Sequence, residues 1–354
     1  MIVDGNVPTQ TTHEDPVRRR PTIIDVAREA GVSKSTVSRV ISGDGSPVRD
    51  STRERVVEAI RRLGYERNAV AGSLRTNRTF TVILIIPDIT NPFWPEVARG
   101  AQDALAEHGY AVVLANSDWD ERREREFLAR ARSNRFDGII INPAGVSNEE
   151  LLLGGIPAVV VGLGTEYPDF DMVGSDSYGG TTLAMEHLIG LGHRRIGLIS
   201  GVSRRSSSAS RVNGYLDYLR RHDMPIEDDL IVRCPYGEDA GQQAMTQLLC
   251  LDRPPTAVFA ANDMLAIGAL QAVHEAGLRV PEDLSIVGMD DIHAVSVTTP
   301  PLTTVAKQKS ESGWQAAAFL LERMGADAPA GPRQLAFRCS LIARGSSAPP
   351  SYLT

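Results

Sequence analysis

Lys34, Ser35, Ser38 and Arg39 are donors and cations spaced to lie on one side of a short helix. Side chains of these types read base edges: Arg and Lys donate to guanine, and Ser bonds to several bases. Val37, Val40 and Ile41 fall on the opposite side and can pack. The flanking residues would hold such a helix in place. Thr22 caps a first helix, with Asp25 three residues on to complete a capping box. Ile23, Val26, Ala27 and Ala30 share that helix's inner face. Gly31 permits a tight turn and Ser33 caps the second helix. A third helix, Ser51 to Leu63, closes a small core with Val56, Ala59, Ile60 and Leu63. Two helices joined by a Gly-containing turn, with polar groups outside the second, predict a helix-turn-helix.

Charge supports the same reading. Between Arg18 and Arg78 there are 14 Lys plus Arg and 7 Asp plus Glu, a net of +7. The whole chain carries −7, so the remainder carries −14. A basic module joined to an acidic domain predicts a nucleic-acid partner, here double-stranded DNA.

These residues carry a resemblance. DVAREAGVSKSTVSRVISG, VRDSTRERVVEAIRRLGY and NAVAGSLRTNRT resemble the DNA-binding head and hinge of the LacI/GalR (lactose-repressor/galactose-repressor) family of bacterial transcription factors. Further matches extend the resemblance over roughly 325 of the 354 residues. It implies that Thr22, Lys34, Ser35, Thr36, Ser38 and Arg39 face DNA. It also implies a hinge in which Asn68, Ala71 and Leu74 meet the minor groove, Leu74 as the apolar wedge. Arg67 stands where the family commonly has Pro, and Gly72 where it often has Arg. Both changes loosen the free segment, so 68–78 is expected to be disordered alone and helical on DNA. A plain linker is the alternative.

A chain of 354 residues accommodates two or three domains. No run of about 18 apolar residues occurs, so no membrane span is expected. The start, MIVDGNVPTQTTHEDP, lacks the basic and apolar regions of a secretory signal, and a cytoplasmic location is expected. Cys234, Cys250 and Cys339 are scattered, which indicates buried thiols in a reducing compartment. Residues 1 to about 20 are expected to form a disordered tail, whose Arg18 to Arg20 either touch phosphate or are simply solvated.

From Phe80 strands and helices alternate. Strands are predicted at 81–88, 110–118, 136–144, 156–162, 195–201, 229–235, 256–262 and 284–291. Helices are predicted at 95–109, 120–135, 179–193, 211–223, 241–250 and 264–277. TVILIIPD is apolar throughout, as in a strand buried on both faces. The expected class is α/β: a helix-turn-helix head followed by a two-lobed, periplasmic-binding-protein-like core with parallel, doubly wound sheets. The boundaries read as head 21–67, hinge 68–79, N-lobe 80–176 with 305–335, C-lobe 177–304 with 336–346, and tail 347–354. The resemblance implies three crossings between lobes, near Ser175–Tyr178, Pro301–Val305 and Gln334–Ala336.

Within the cleft the resemblance assigns effector contacts to Phe93, Trp94, Arg205, Ser207, Arg211, Tyr236, Asn262 and Asp290, with Asp118 and Asp176 weaker. Aromatic faces suit the apolar face of a sugar ring, and an Arg fork suits hydroxyls or a carboxylate. Core packing, a surface salt bridge or a helix cap are the alternatives for these residues. There is no GxSxG, HExxH or P-loop and no metal-ligand spacing, so neither catalytic residues nor a metal or cofactor are expected. Asp290 and Asp291 are adjacent on a strand and point to opposite faces, so they form no dyad. The expected function is a ligand-responsive, homodimeric transcriptional regulator, a repressor on a palindromic operator with a sugar-like effector. A cytoplasmic sugar-binding protein and a sugar-active enzyme with a regulatory head are the competing classes.

Overall fold

The computed structural model describes residues 21–42, 48–66, 78–202 and 206–351. The expected tail 1–20, the hinge residues Asn68, Ala71 and Leu74, and Arg205 lie outside them. The chain divides into two compact units, the second starting at Arg78.

The first unit contains α1 (Ile23–Ala30), α2 (Lys34–Ser42) and α3 (Asp50–Leu63). Thr22 and Asp25 form the reciprocal capping box. Gly31 takes the left-handed conformation at the turn (φ 61°), and the Ser33 hydroxyl accepts from the Thr36 amide at 3.1 Å. Val26, Ala30, Val37, Val40, Val56 and Ala59 form the core.

The second unit has two lobes, each a six-stranded sheet with helices on both faces. In the N-lobe the strands are β1 (Thr81–Ile86), β2 (Ala111–Asn116), β3 (Gly138–Ile141), β4 (Ala158–Val161), β5 (Asp171–Ser175) and β11 (Gln334–Phe337), ordered β11-β5-β4-β3-β1-β2 and all parallel. The C-lobe strands are β6 (Ile196–Gly201), β7 (Ile231–Cys234), β8 (Ala257–Ala260), β9 (Ser285–Asp290), β10 (Thr303–Ala306) and β12 (Ser340–Ile342). Their order is β12-β10-β9-β8-β6-β7, with only β12 antiparallel. β1 is buried on both faces, as its unbroken apolar run requires.

Helices α4 (Phe93–Ala106), α5 (Glu121–Ser133), α6 (Asn148–Leu153) and α11 (Lys309–Arg323) flank the N-lobe sheet. α7 (Ser177–Gly190), α8 (Ser206–Arg221), α9 (Glu238–Leu249) and α10 (Asp263–Glu275) flank the other. α4 and α11 meet at Gly100 and Gly313. A Cβ on Gly313 would lie 1.9 Å from the Val97 carbonyl oxygen, so only glycine lets these backbones approach.

Several boundaries differ from the sequence expectation. The second crossing falls after Ala306, not at Pro301–Val305, because Thr303–Ala306 pairs in register with Val287–Asp290 of the C-lobe sheet. The third falls after Phe337, since Gln334–Phe337 pairs with Met172–Ser175. Arg78 and Thr79, expected in the hinge, bond to the N-lobe: Arg78 donates to the Met324 carbonyl and Thr79 to the Asp137 carboxylate. The expected tail at 347 is partly tied down, because Ala348 bonds with Ser285 and His193. Cys234, Cys250 and Cys339 are free, but Cys250 is exposed rather than buried, being the C-cap residue just past the end of α9. Among the described residues no helix is long and apolar enough to cross a membrane.

Candidate ligand cleft and nucleic-acid interface

The head presents its polar residues outward. Lys34, Ser35 and Arg39 are exposed, and Thr36 and Ser38 are half-buried. Val37 and Val40, on the other side of α2, are buried. This face offers cationic and hydroxyl donors without competing carboxylates, since α2 holds no acidic residue. Thr22 is committed to Asp25: its hydroxyl donates at 2.7 Å and accepts from the Asp25 amide.

In the second unit a cleft of about 900 Å³, open mouth included, lies between the lobes. It is formed by loops at the C-terminal ends of the strands, where parallel α/β sheets hold ligands. Phe93, Trp94, Arg211, Tyr236, Asn262 and Asp290 line it, as does Asp176. Phe93 and Trp94 open α4 and pack edge to face, with centroids 5.0 Å apart. Trp94 also belongs to the N-lobe core, whereas Phe93 packs against the cores of both lobes.

Asn262 is the N-cap of α10, its side-chain oxygen accepting from the Leu265 amide at 2.9 Å. It therefore combines the capping and cleft-facing roles. Arg211 sits in the second turn of α8, which begins at Ser206 rather than at the arginine as expected. It is 8% exposed and donates from Nη1 to the Tyr236 hydroxyl at 3.0 Å. Tyr236 in turn lies flat against β6. Gly201 makes this possible, because a Cβ there would overlap the ring at 2.0 Å.

Asp290 ends β9 opposite Ala306 of β10, so the next residue, Lys307, reaches its carboxylate at 3.3 Å. Both side chains are nearly fully buried, at 5% and 6% exposure. Asp290 and Asp291 have φ of 129° and 55°, a turn that presents both carbonyls to the Lys309 ammonium at 3.1 and 2.6 Å. Lys309 starts α11 and also pairs with Glu96 of α4, so it ties the end of β9 to the N-lobe. Asp291 pairs instead with Arg344, in keeping with the opposed directions expected of the two carboxylates.

The carboxylate that does approach Asp290 is Asp263. Burial, then the Asp290 charge, push it up to about 7, although Thr304 and the Ile292 amide both donate to it. Asp263 is the first residue of α10 and bonds to β10 and to the segment after β9.

One expected contact is not brought to the cleft. Asp118 turns away, accepting from Asn116 at 2.6 Å and pairing with Arg123. Its neighbour takes its place. Asp118 and Trp119 are consecutive left-handed residues (φ 50° and 59°), and this turn carries the Trp119 ring into the cleft. There it stacks on Tyr236 of the other lobe, centroids 5.2 Å apart and planes 19° from parallel. Arg205 lies outside the described residues, and Ser207 is placed only as part of α8. Lining residues that sequence reading missed include Trp119, Asn142, Tyr178 and Lys307. A Lys immediately after the TTVA segment was the one available signal for Lys307.

Comparison with known proteins agrees with both halves. The description "Bacterial regulatory proteins, lacI family" fits residues 22–68, and "Periplasmic binding protein-like domain" fits residues 185–347. Catabolite control protein A of Priestia megaterium is 37% identical over 307 residues, 86% of this chain and 92% of that protein. The chain belongs to the LacI family. It is a ligand-responsive, DNA-binding transcriptional repressor. Among solved LacI-family structures, the Lac repressor dimer bound to operator and the anti-inducer ONPF matches with a TM-score of 0.82 at 28% identity. It covers 93% of this chain and 100% of that one. The CelR–cellobiose complex matches with a TM-score of 0.70 at 31% identity, again over 93% and 100%.

Proposed function

We propose that this LacI-family repressor binds a palindromic operator as a homodimer and senses a small sugar-like effector in the interlobe cleft. The observation that carries the DNA half is the outward face of α2: Lys34, Ser35 and Arg39 are exposed opposite a buried apolar side. Recognition helices place such residues against base edges in the major groove. Thr36 and Ser38 complete the face, and Thr22 sits at the end of α1 where a phosphate would lie. Asn68, Ala71 and Leu74 act as the minor-groove hinge, with Leu74 as the wedge.

The effector contacts are Phe93, Trp94, Arg211, Tyr236, Asn262 and Asp290, joined by Trp119 and Lys307; Arg205 and Ser207 extend the set from the segment that starts α8. The boundaries of head, hinge and lobes follow the sequence reading, with the crossings moved to Ala306 and Phe337. The protein acts in the cytoplasm and catalyses no reaction. The Lac repressor dimer on its operator and the cellobiose complex of CelR support the dimeric and sugar-sensing parts of this reading.

Selection from a random DNA library tests it. The wild type should return two related half-sites in inverted repeat, and a Lys34→Ala/Ser35→Ala variant should return a different or degenerate motif. Arg39→Ala should weaken binding by about 1–3 kcal/mol if the guanidinium makes a bidentate base contact. The same motif from wild type and the double variant would remove these residues from base readout.

A further inference from the structure

Trp119 and Tyr236 meet across the cleft, and the sheet orders show where. Trp119 follows β2, an edge strand of the N-lobe sheet, and Tyr236 follows β7, an edge strand of the C-lobe sheet. The three crossings leave from the opposite side: from β5, from β10, and from β11 into β12. Four strand spacings separate β2 from β5, and four separate β7 from β10. At about 4.8 Å per spacing, the ring pair stands roughly 19 Å from the segments on which the lobes can turn.

Other ties between the lobes lie close to those segments. Lys309 pairs with Glu96, and Lys307 lies over the Phe93 ring at 5.2 Å. Both lysines directly follow β10, at a crossing, so they resist rotation over a short arm. The ring pair acts over the long arm. A turn of roughly 10° carries the far edges about 3 Å apart, which takes rings 5.2 Å apart beyond the separations at which they attract.

Both rings are set in place. Tyr236 lies on Gly201, where a Cβ would overlap it, and its hydroxyl accepts from Arg211 at 3.0 Å. Trp119 is placed by two consecutive left-handed residues without glycine, a conformation that costs free energy and persists only where its surroundings hold it. Here Asn116 donates to Asp118 at 2.6 Å, and Arg123 pairs with Asp118. Trp119 lies outside the hydrophobic cores of both lobes and stays 37% exposed, so core packing does not account for the strained turn.

We propose that the Trp119–Tyr236 stack is a latch that holds the lobes closed while the cleft is empty, and that its opening gates ligand entry and exit. Trp119 is then a positioning residue acting through the lobes. A ring pair of this kind shifts an opening equilibrium by about 2- to 12-fold.

The latch is tested without ligand, by amide hydrogen exchange on the full-length protein. Trp119→Ala should speed exchange by that factor in cleft-facing segments of both lobes, 88–94 and 234–238, and leave β1 and β6 unchanged. Trp119→Phe, which keeps a ring, should stay near the wild type. Gly201→Ala should match Trp119→Ala, because its Cβ drives Tyr236 from its seat. The two changes combined should exchange no faster than either alone. Faster exchange confined to 116–120, or none at all, overturns the proposal.

The gate rests in addition on the cleft being the effector site, and stopped-flow binding of glucose, ribose and cellobiose tests it. For the sugar that binds most tightly, Trp119→Ala should raise the association rate by the same factor and the dissociation rate by more. Faster dissociation with unchanged association would make Trp119 a cover for bound ligand and remove the gate. If none of the three sugars binds while exchange shows both lobes opening, the latch stands and the sugar-sensing reading is the one that fails.

Discussion

The two walls of the cleft are built differently. The C-lobe wall is ionic and locked: Asp290 pairs with Lys307, Lys309 holds the carbonyls of Asp290 and Asp291, and Arg211 is fixed on Tyr236. The N-lobe wall is largely aromatic, with Phe93 and Trp94 at the start of α4 and Trp119 in the loop after β2. Trp119 is 37% exposed and meets the other lobe by stacking on Tyr236. The locked ionic wall is suited to choosing the ligand, because its donors and charges are in place before anything binds. The aromatic wall is suited to covering it, because a stacking contact tolerates sliding where an ion pair does not. Substitutions in the first should therefore disturb the fold as well as the ligand, and those in the second should disturb mainly the closed arrangement.

The largest effect is expected from Asp290→Ala, which leaves the Lys307 ammonium buried without its carboxylate. Breaking one side of a buried pair costs about 3–5 kcal/mol, and urea unfolding of the variant should show a loss of that order. A loss within experimental error would mean that the wall is not locked in the way described.

A pH profile sharpens the same point. Asp263 is raised from 3.8 to about 7 by burial and by Asp290, so the folded chain holds a proton that the unfolded chain releases. Stability should fall as pH rises between about 4 and about 7, with a slope of at most about 1.4 kcal/mol per pH unit, and level off above that. Asp263→Asn should flatten that segment of the curve. An identical slope in the variant would contradict the assignment.

Trp119→Ala should have the smallest effect on the free protein, about 0.5–1.5 kcal/mol for the lost ring pair beyond its area. Its ligand affinity should fall more than its stability. A stability loss equal to that of Asp290→Ala would erase the distinction between the walls.

Legibility in the sequence follows how local each feature is. The head was readable because Thr22, Gly31 and Ser33 mark the helix ends beside the apolar positions that they serve. Most core strands were readable as unbroken apolar runs, and the helices that were predicted came within a few residues, but α6 and the long α11 were not predicted. Strand β5 gives no such signal. It opens on Asp171, which is buried only because Arg323 and Arg333, far along the chain, bond to it at 2.8 and 2.9 Å. Burial alone would raise its pKa, and these two guanidinium groups instead bring it down to about 2. The crossings were misplaced for a related reason: which sheet takes Thr303–Ala306 or Gln334–Phe337 is settled by pairing with strands more than ten residues away.

In the cleft, the residue types carried over from the family resemblance located much of the wall. Trp119 was missed because a pair of left-handed residues, invisible in the residue types, exchanges it for Asp118. Lys307 was missed because its meaning comes from the register of β10 against β9. Gly72 remains a sequence-level matter: Gly72→Ala in the hinge should tighten operator binding by up to about 1 kcal/mol, and weaker binding would show that this hinge does not fold on DNA.

The central claim is that occupation of the cleft is linked to DNA binding by the head. It is tested most directly by titrating the tightest-binding of three sugars, glucose, ribose and cellobiose, into the protein with and without saturating operator DNA. Linkage requires the operator to change ligand affinity by the same factor by which the ligand changes operator affinity, commonly about 5–150-fold. The account predicts two distinct ligand affinities related by that common factor. One ligand affinity, unchanged by operator, would contradict it.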